Sequence, residues 1–135
     1  MGISRFLRHN ILWFLWMIVV MGLYSIPGSD LESMSFWQAM SLDKLAHLVC
    51  FAILSLTMAA GFRRQNLING LNAHPFRYAI IIGVIYGGVL ELIQGAAFEE
   101  RHSDIYDFVA NSLGVIFGIV IFRIIYGREL SRTKF

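Results

Sequence analysis

Eight polar side chains interrupt an otherwise apolar chain: Asp43, Lys44, His47, Glu91, Gln94, Arg101, Asp107 and Asn111. A bilayer penalises such groups. A charged residue at the centre of a spanning helix costs roughly 2.5–3.5 kcal/mol on insertion scales, and less near its ends. Ionisable residues inside membrane segments therefore mark functional sites, provided that each has a partner. The chemistry on offer is specific. His47, Glu91 and Asp107 are candidate catalytic residues, with His47 as general base or nucleophile and the carboxylates orienting it. Arg101 suits a phosphate or carboxylate because its planar fork bonds such groups in pairs. The set as a whole also reads as a binding site, its carboxylates, amides and imidazole matching the sugar, amine or peptide part of a head group.

The spacing puts these residues on shared helix faces. Asp43 and His47 are four apart, Glu91 and Gln94 three apart, and Asp107 and Asn111 four apart, so each pair points one way from its helix. Lys44 is one residue off the first pair and is expected to reach towards the membrane interface, where its stem can snorkel. Gly83, Gly87, Glu91 and Gly95 also recur at spacing four, a stripe on which another backbone can approach closely. Gly114 and Gly118 form a GxxxG pair, common in apolar runs and a weak signal by itself.

Four apolar runs must position this set. The chain has 135 residues, 57% of them hydrophobic and 15% charged, against about 25% charged in soluble domains. Runs at about 10–26, 43–62, 76–98 and 105–126 are each long enough to cross a ~30 Å hydrocarbon core at 1.5 Å per residue. They are apolar all round, which excludes the alternation of a membrane barrel. The expected fold is all-α, a polytopic four-helix membrane bundle forming one domain over 1–135. Residues 31–42 read either as a short helix in the interface or as an irregular loop, and 65–75 as a polar loop. Arg5 and Arg8 before an apolar run imitate a signal peptide, but no convincing cleavage site follows, so the first run reads as a retained helix. Trp13, Trp16 and Tyr24 fit interfacial belts. Asp104 precedes the last run as its N-cap.

Cytoplasmic segments are rich in Lys and Arg. With both termini inside, nine of the eleven basic residues lie inside, leaving Lys44 and Arg101 outside. This N-in, C-in threading brings the polar residues of the second, third and fourth runs to one depth in the outer leaflet. Basic residues that follow the topology rule give no reason to expect nucleic acid. The lone Cys50 forms no internal disulfide. Neither HExxH nor CxxC is present, so no metal and no cofactor is expected, although two carboxylates and a histidine could hold an ion. A transporter is disfavoured by the shallow site and the absence of an inverted repeat.

The ordered pattern Asp43-Lys44-x-x-His47, Glu91-x-x-Gln94, Arg101, Asp107-x-x-x-Asn111-x-x-Gly114 resembles the VanZ-like family of bacterial membrane proteins. Pro27-Gly28 and Tyr86-Gly87 fit it as well, and Glu99-Glu100 before Arg101 departs from it. The resemblance implies a bacterial inner-membrane protein, by its namesake linked to resistance to teicoplanin, a lipoglycopeptide acting on cell-wall precursors. Membrane lipids and a lipid-linked precursor or lipoglycopeptide are then the expected partners. Three roles stay open: binding of an anionic or lipid-linked head group, catalysis on such a substrate, and a structural role within the bundle or beside a larger membrane-protein partner.

Overall fold

Long apolar runs without prolines or charges favour uninterrupted helices. The computed structural model describes residues 2–25, 36–97 and 104–127, with side chains described outside 36–40. Five helices follow in order: α1 (Gly2–Tyr24), α2 (Phe36–Arg64), α3 (Asn69–Ala73), α4 (Pro75–Ala97) and α5 (Ile105–Tyr126). All but α3 are long and apolar enough to cross a membrane. Large apolar side chains such as Ile18, Leu92 and Ile124 stand exposed on the outer surfaces of these helices. In water that surface would be a liability, and against lipid it is what a spanning helix requires. The chain is a multi-pass membrane protein.

Two boundaries differ from expectation. The helix of the first run starts at Gly2: Arg5 and Arg8 mark where hydrocarbon ends, and nothing in 2–9 breaks a helix. Residues 36–42 are neither a separate interfacial helix nor a loop but the first turns of α2. No glycine or proline separates Phe36 from Asp43, so the helix runs through. At 29 residues it is roughly 43 Å long, more than the hydrocarbon thickness, so its ends extend into the interfaces. The polar loop contains α3, and Gln65 is buried as its organiser. Gln65 Oε1 accepts from the amides of Leu67 and Ile68, and its Nε2 donates to the Ile68 carbonyl. Pro27-Gly28, Glu99-Glu100, Arg101 and the residues beyond Gly127 lie outside the described residues.

α2 and α5 form the central pair, with α4 and α1 packed against them. A Cβ on Gly114 would collide with the Leu48 carbonyl, and one on Gly118 with the Ala52 carbonyl and Ser55 Oγ. The GxxxG pair is thus where the two backbones touch. The α4 stripe packs too, Gly83 against Val115 and Gly87 against Asn111 and Phe51, whereas Gly95 faces outward. Phe51, Leu54, Met58, Phe62, Phe76, Val115 and Phe122 fill the interior.

Asp104 caps α5 as expected: its carboxylate accepts from the Tyr106 amide at 2.8 Å. That amide, and then Lys44, hold its carboxyl below the usual aspartate range. A depressed carboxyl contributes stability above its unfolded pKa and loses it as pH falls through the folded value. Asp104→Ala is expected to cost about 0.5–2 kcal/mol, the usual range for a lost N-cap. Thermal unfolding in detergent at pH 7 would show it, and the difference from wild type should shrink below the ordinary aspartate range.

Candidate functional site

All four long helices deliver polar groups to one end of the bundle. α2 brings Asp43, Lys44 and His47 from its first half. α4 brings Glu91 and Gln94 from its last two turns. α5 brings Asp107 and Asn111 from its start. His47, Glu91, Gln94, Asp107 and Asn111 are all buried. The fourth contributor is Tyr24 at the end of α1, which is buried rather than placed in an aromatic belt.

Tyr24 is the hinge of a hydrogen-bonded chain. Its hydroxyl donates to Asn111 Oδ1 at 2.7 Å and lies 2.7 Å from His47 Nδ1. Asn111 Nδ2 donates to Glu91 Oε1 at 3.1 Å. These contacts order donors and acceptors along the chain. Asn111 turns its nitrogen to Glu91 and its oxygen to Tyr24. The single hydroxyl hydrogen then goes to Asn111, and Tyr24 Oη accepts from His47 Nδ1–H. His47 Nε2 is left facing Asp43 Oδ1 at 3.6 Å. Glu91 Oε1 also lies 3.5 Å from His47 Nδ1, longer than a good hydrogen bond. Gln94 Nε2 donates to the Tyr24 backbone carbonyl at 3.0 Å and so holds the end of α1.

Lys44 does not snorkel outward. Its ammonium crosses to α5 and pairs with Asp107 Oδ1 at 2.6 Å and Asp104 Oδ2 at 3.1 Å. The reason is proximity: the close α2–α5 contact at Gly114 brings the start of α5 within reach of its stem. Glu91 Oε2 is buried with no hydrogen-bond partner among the described residues, the Asp104 backbone making only a loose contact with this carboxylate.

The structure thus brings together seven of the eight residues singled out in the sequence, and Arg101 lies outside the described residues. Tyr24 is the residue that sequence reasoning missed as a participant. A signal was present: Asn10, Trp13, Met17, Val20 and Tyr24 recur at alternating spacings of three and four, the stripe of a helix face turned inward. Asn10, Trp13, Val20 and Tyr24 are buried, and Asn10 Oδ1 accepts from the Trp13 indole. Met17 offers its carbonyl to Tyr86. A lone tyrosine near a run's end otherwise looks like any belt residue.

Chemically the cluster offers an imidazole held on one side by Tyr24 and on the other beside Asp43, carboxylates at several angles and one lysine already neutralised. No curated protein and no solved structure matches the chain. The family described as VanZ/LLP1 matches residues 4–126, which covers the four spanning helices but for the first two residues of α1, and every residue of the cluster. The chain belongs to the VanZ/LLP1 family.

Proposed function

We propose that the cluster recognises the polar head of a lipid-linked envelope molecule at the outer face of a bacterial inner membrane, with both termini in the cytoplasm. The observation that carries this reading is the convergence of buried polar groups from four separate helices at one end of the bundle. Arg63 and Arg64 end α2 at the other end, in keeping with the positive-inside rule. The charge balance divides the labour. The described part of the cluster holds Asp43, Glu91, Asp104 and Asp107 against Lys44 and His47. It suits hydroxyl and ammonium groups. Any phosphate of the head group would fall to Arg101, which the sequence places between α4 and α5 and whose fork matches it. A tail that stays in the bilayer allows such a molecule to enter sideways. Family membership supports a lipid-linked cell-wall precursor or a lipoglycopeptide such as teicoplanin as the occupant.

One observation favours a second reading, catalysis on the same substrate. His47 has one ring nitrogen held by Tyr24 and the other beside Asp43, the arrangement of an oriented general base. Turnover of a polyprenyl-linked precursor by purified protein that disappears in His47→Ala would establish it.

The test of recognition uses the protein in nanodiscs containing a polyprenyl-diphosphate-linked disaccharide peptide, with retention read by native mass spectrometry. Wild type is expected to retain the probe, and Arg101→Ala and His47→Ala to lose it at equal folded yield. In a teicoplanin-susceptible host, the same variants at normal membrane levels should lose whatever protection wild type gives. Undiminished retention in both variants would overturn the reading and leave the polar groups as bundle-closing contacts.

A further inference from the structure

We propose that Asp43, His47 and Asp107 form a divalent-metal site of the zinc or manganese class at the edge of the cluster. The proposal rests on reading the cluster as a site open to ligands and adds the ion that it would take.

Geometry comes first. One donor atom from each of the three residues lies within 4.8 Å of the other two. Two ligands bound to one ion at about 2.1 Å can stand no more than about 4.2 Å apart. The 3.6 Å between His47 Nε2 and Asp43 Oδ1 already meets that limit, and the widest allowed separation exceeds it by a small side-chain movement. Asp43 and His47 come from successive turns of α2 and Asp107 from α5, so the donors converge across the tightest helix contact in the bundle.

The second observation concerns His47. A metal-binding histidine donates its other ring N–H to a fixed acceptor, which sets the tautomer and aims the ring. Tyr24 Oη supplies that acceptor at 2.7 Å, and the Tyr24–Asn111–Glu91 chain directs Nδ1–H to it, so that Nε2 is the ring nitrogen turned toward Asp43. An ion would bind at Nε2 in the place of a proton, with the ring already aimed by Tyr24.

The third is an imbalance of charge and hydrogen bonding. Among the described residues four carboxylates face one lysine and one histidine. Glu91, whose side chain is 4% exposed, abuts the imidazole with Oε2 unpartnered. A buried carboxylate with one oxygen unpartnered is costly, and a dication bound to His47 adds to the positive charge beside it. Lys44 holds Asp107 Oδ1, but a carboxylate has further lone pairs and a second oxygen for an ion. Imidazole with two carboxylates favours zinc or manganese over calcium or magnesium, which prefer all-oxygen sites. Asp43, 31% exposed, gives the ion a way in.

The experiment is a zinc titration of chelator-stripped, detergent-purified full chain, with retained metal measured by elemental mass spectrometry after desalting. It uses no envelope lipid, so its outcome is separate from head-group retention, which is measured on the stripped protein. Wild type is expected to retain about one zinc per chain. Asp43→Asn, at a half-exposed position that leaves the fold intact, should weaken binding by at least about tenfold. Tyr24→Phe keeps the ring and removes only the acceptor for Nδ1–H. It should weaken binding by about 10–100-fold, the usual effect of losing a group that orients a ligand. Zinc retained equally by Asp43→Asn, Tyr24→Phe and wild type would overturn the proposal, as would no retention above background in wild type. Magnesium or calcium bound in preference to zinc, and indifferent to His47→Ala, would overturn it too.

Discussion

Gly118→Ala should deplete the folded protein, although it adds one methyl group. The new Cβ meets the Ala52 carbonyl and Ser55 Oγ, and its obstacle is backbone rather than the far end of a flexible side chain. Relief requires α2 and α5 to move apart along their whole contact, the most extensive in the bundle. Overpacking typically costs 1–3 kcal/mol, and a backbone obstacle puts this case at about 3 kcal/mol or above. Gly114→Ala strikes the Leu48 carbonyl and should behave alike. Gly22 supplies the control. A Cβ there meets nothing within 4 Å, so Gly22→Ala should be neutral or stabilising by up to about 1 kcal/mol, the helix-propensity gain. Heat denaturation in detergent, read as residual monodisperse protein, ranks the three. Equal melting of Gly118→Ala and Gly22→Ala would show that the helices are not in backbone contact.

Asn111→Leu is expected to rank next. Asn111 has no exposed surface and serves two partners, accepting from Tyr24 and donating to Glu91. Leucine fits the site by size but removes both bonds. Tyr24 loses its acceptor, and Glu91, already carrying one unpartnered oxygen, loses the donor to the other. Interhelical hydrogen bonds in membranes average about 0.6 kcal/mol, so the bonds alone would cost little. The unsatisfied buried acceptor dominates, at about 1–3 kcal/mol and more for a charged group. A total of about 2–4 kcal/mol follows from these two ranges. Tyr24→Phe breaks the same chain without stranding the carboxylate and should cost about 1 kcal/mol. Chemical denaturation of both variants in one detergent tests the ordering. If Tyr24→Phe proves the more damaging, the carboxylate draws its main support from elsewhere.

The contrast between what the sequence reveals and what it conceals has a physical pattern. Apolar length reveals the helices because the bilayer imposes it, and the run at 105–126 coincides with α5. Charge misleads about ends. Arg5, Arg8, Asp43 and Lys44 mark the edge of hydrocarbon, but backbone hydrogen bonding continues through them, so α1 and α2 begin earlier than the apolar runs. Polar groups at spacings of three and four reveal the cluster, since a buried polar residue needs a neighbour and helix geometry limits the choice. The route of Lys44 depends on how closely α2 and α5 approach. That approach depends on Gly114 and Gly118, whose pattern is too common to argue from without coordinates. Tyr24 is concealed because a tyrosine hydroxyl serves equally well at the water interface or in a buried network, and only the inward stripe of α1 distinguishes the two.

The contact between Tyr24 and Asn111 spans 87 positions of sequence. A ribosome making about 5–20 residues per second leaves roughly 4–17 s between the synthesis of the two. Through that interval α1 can meet His47 of α2, made 23 positions after Tyr24, while the acceptor for its hydroxyl proton is still to come. α1 is therefore inserted before α5 and fully locked only with it. A chain stalled before α5 would leave α1 without its most distant anchor, a recognisable mark for the proteases that clear unfinished membrane proteins.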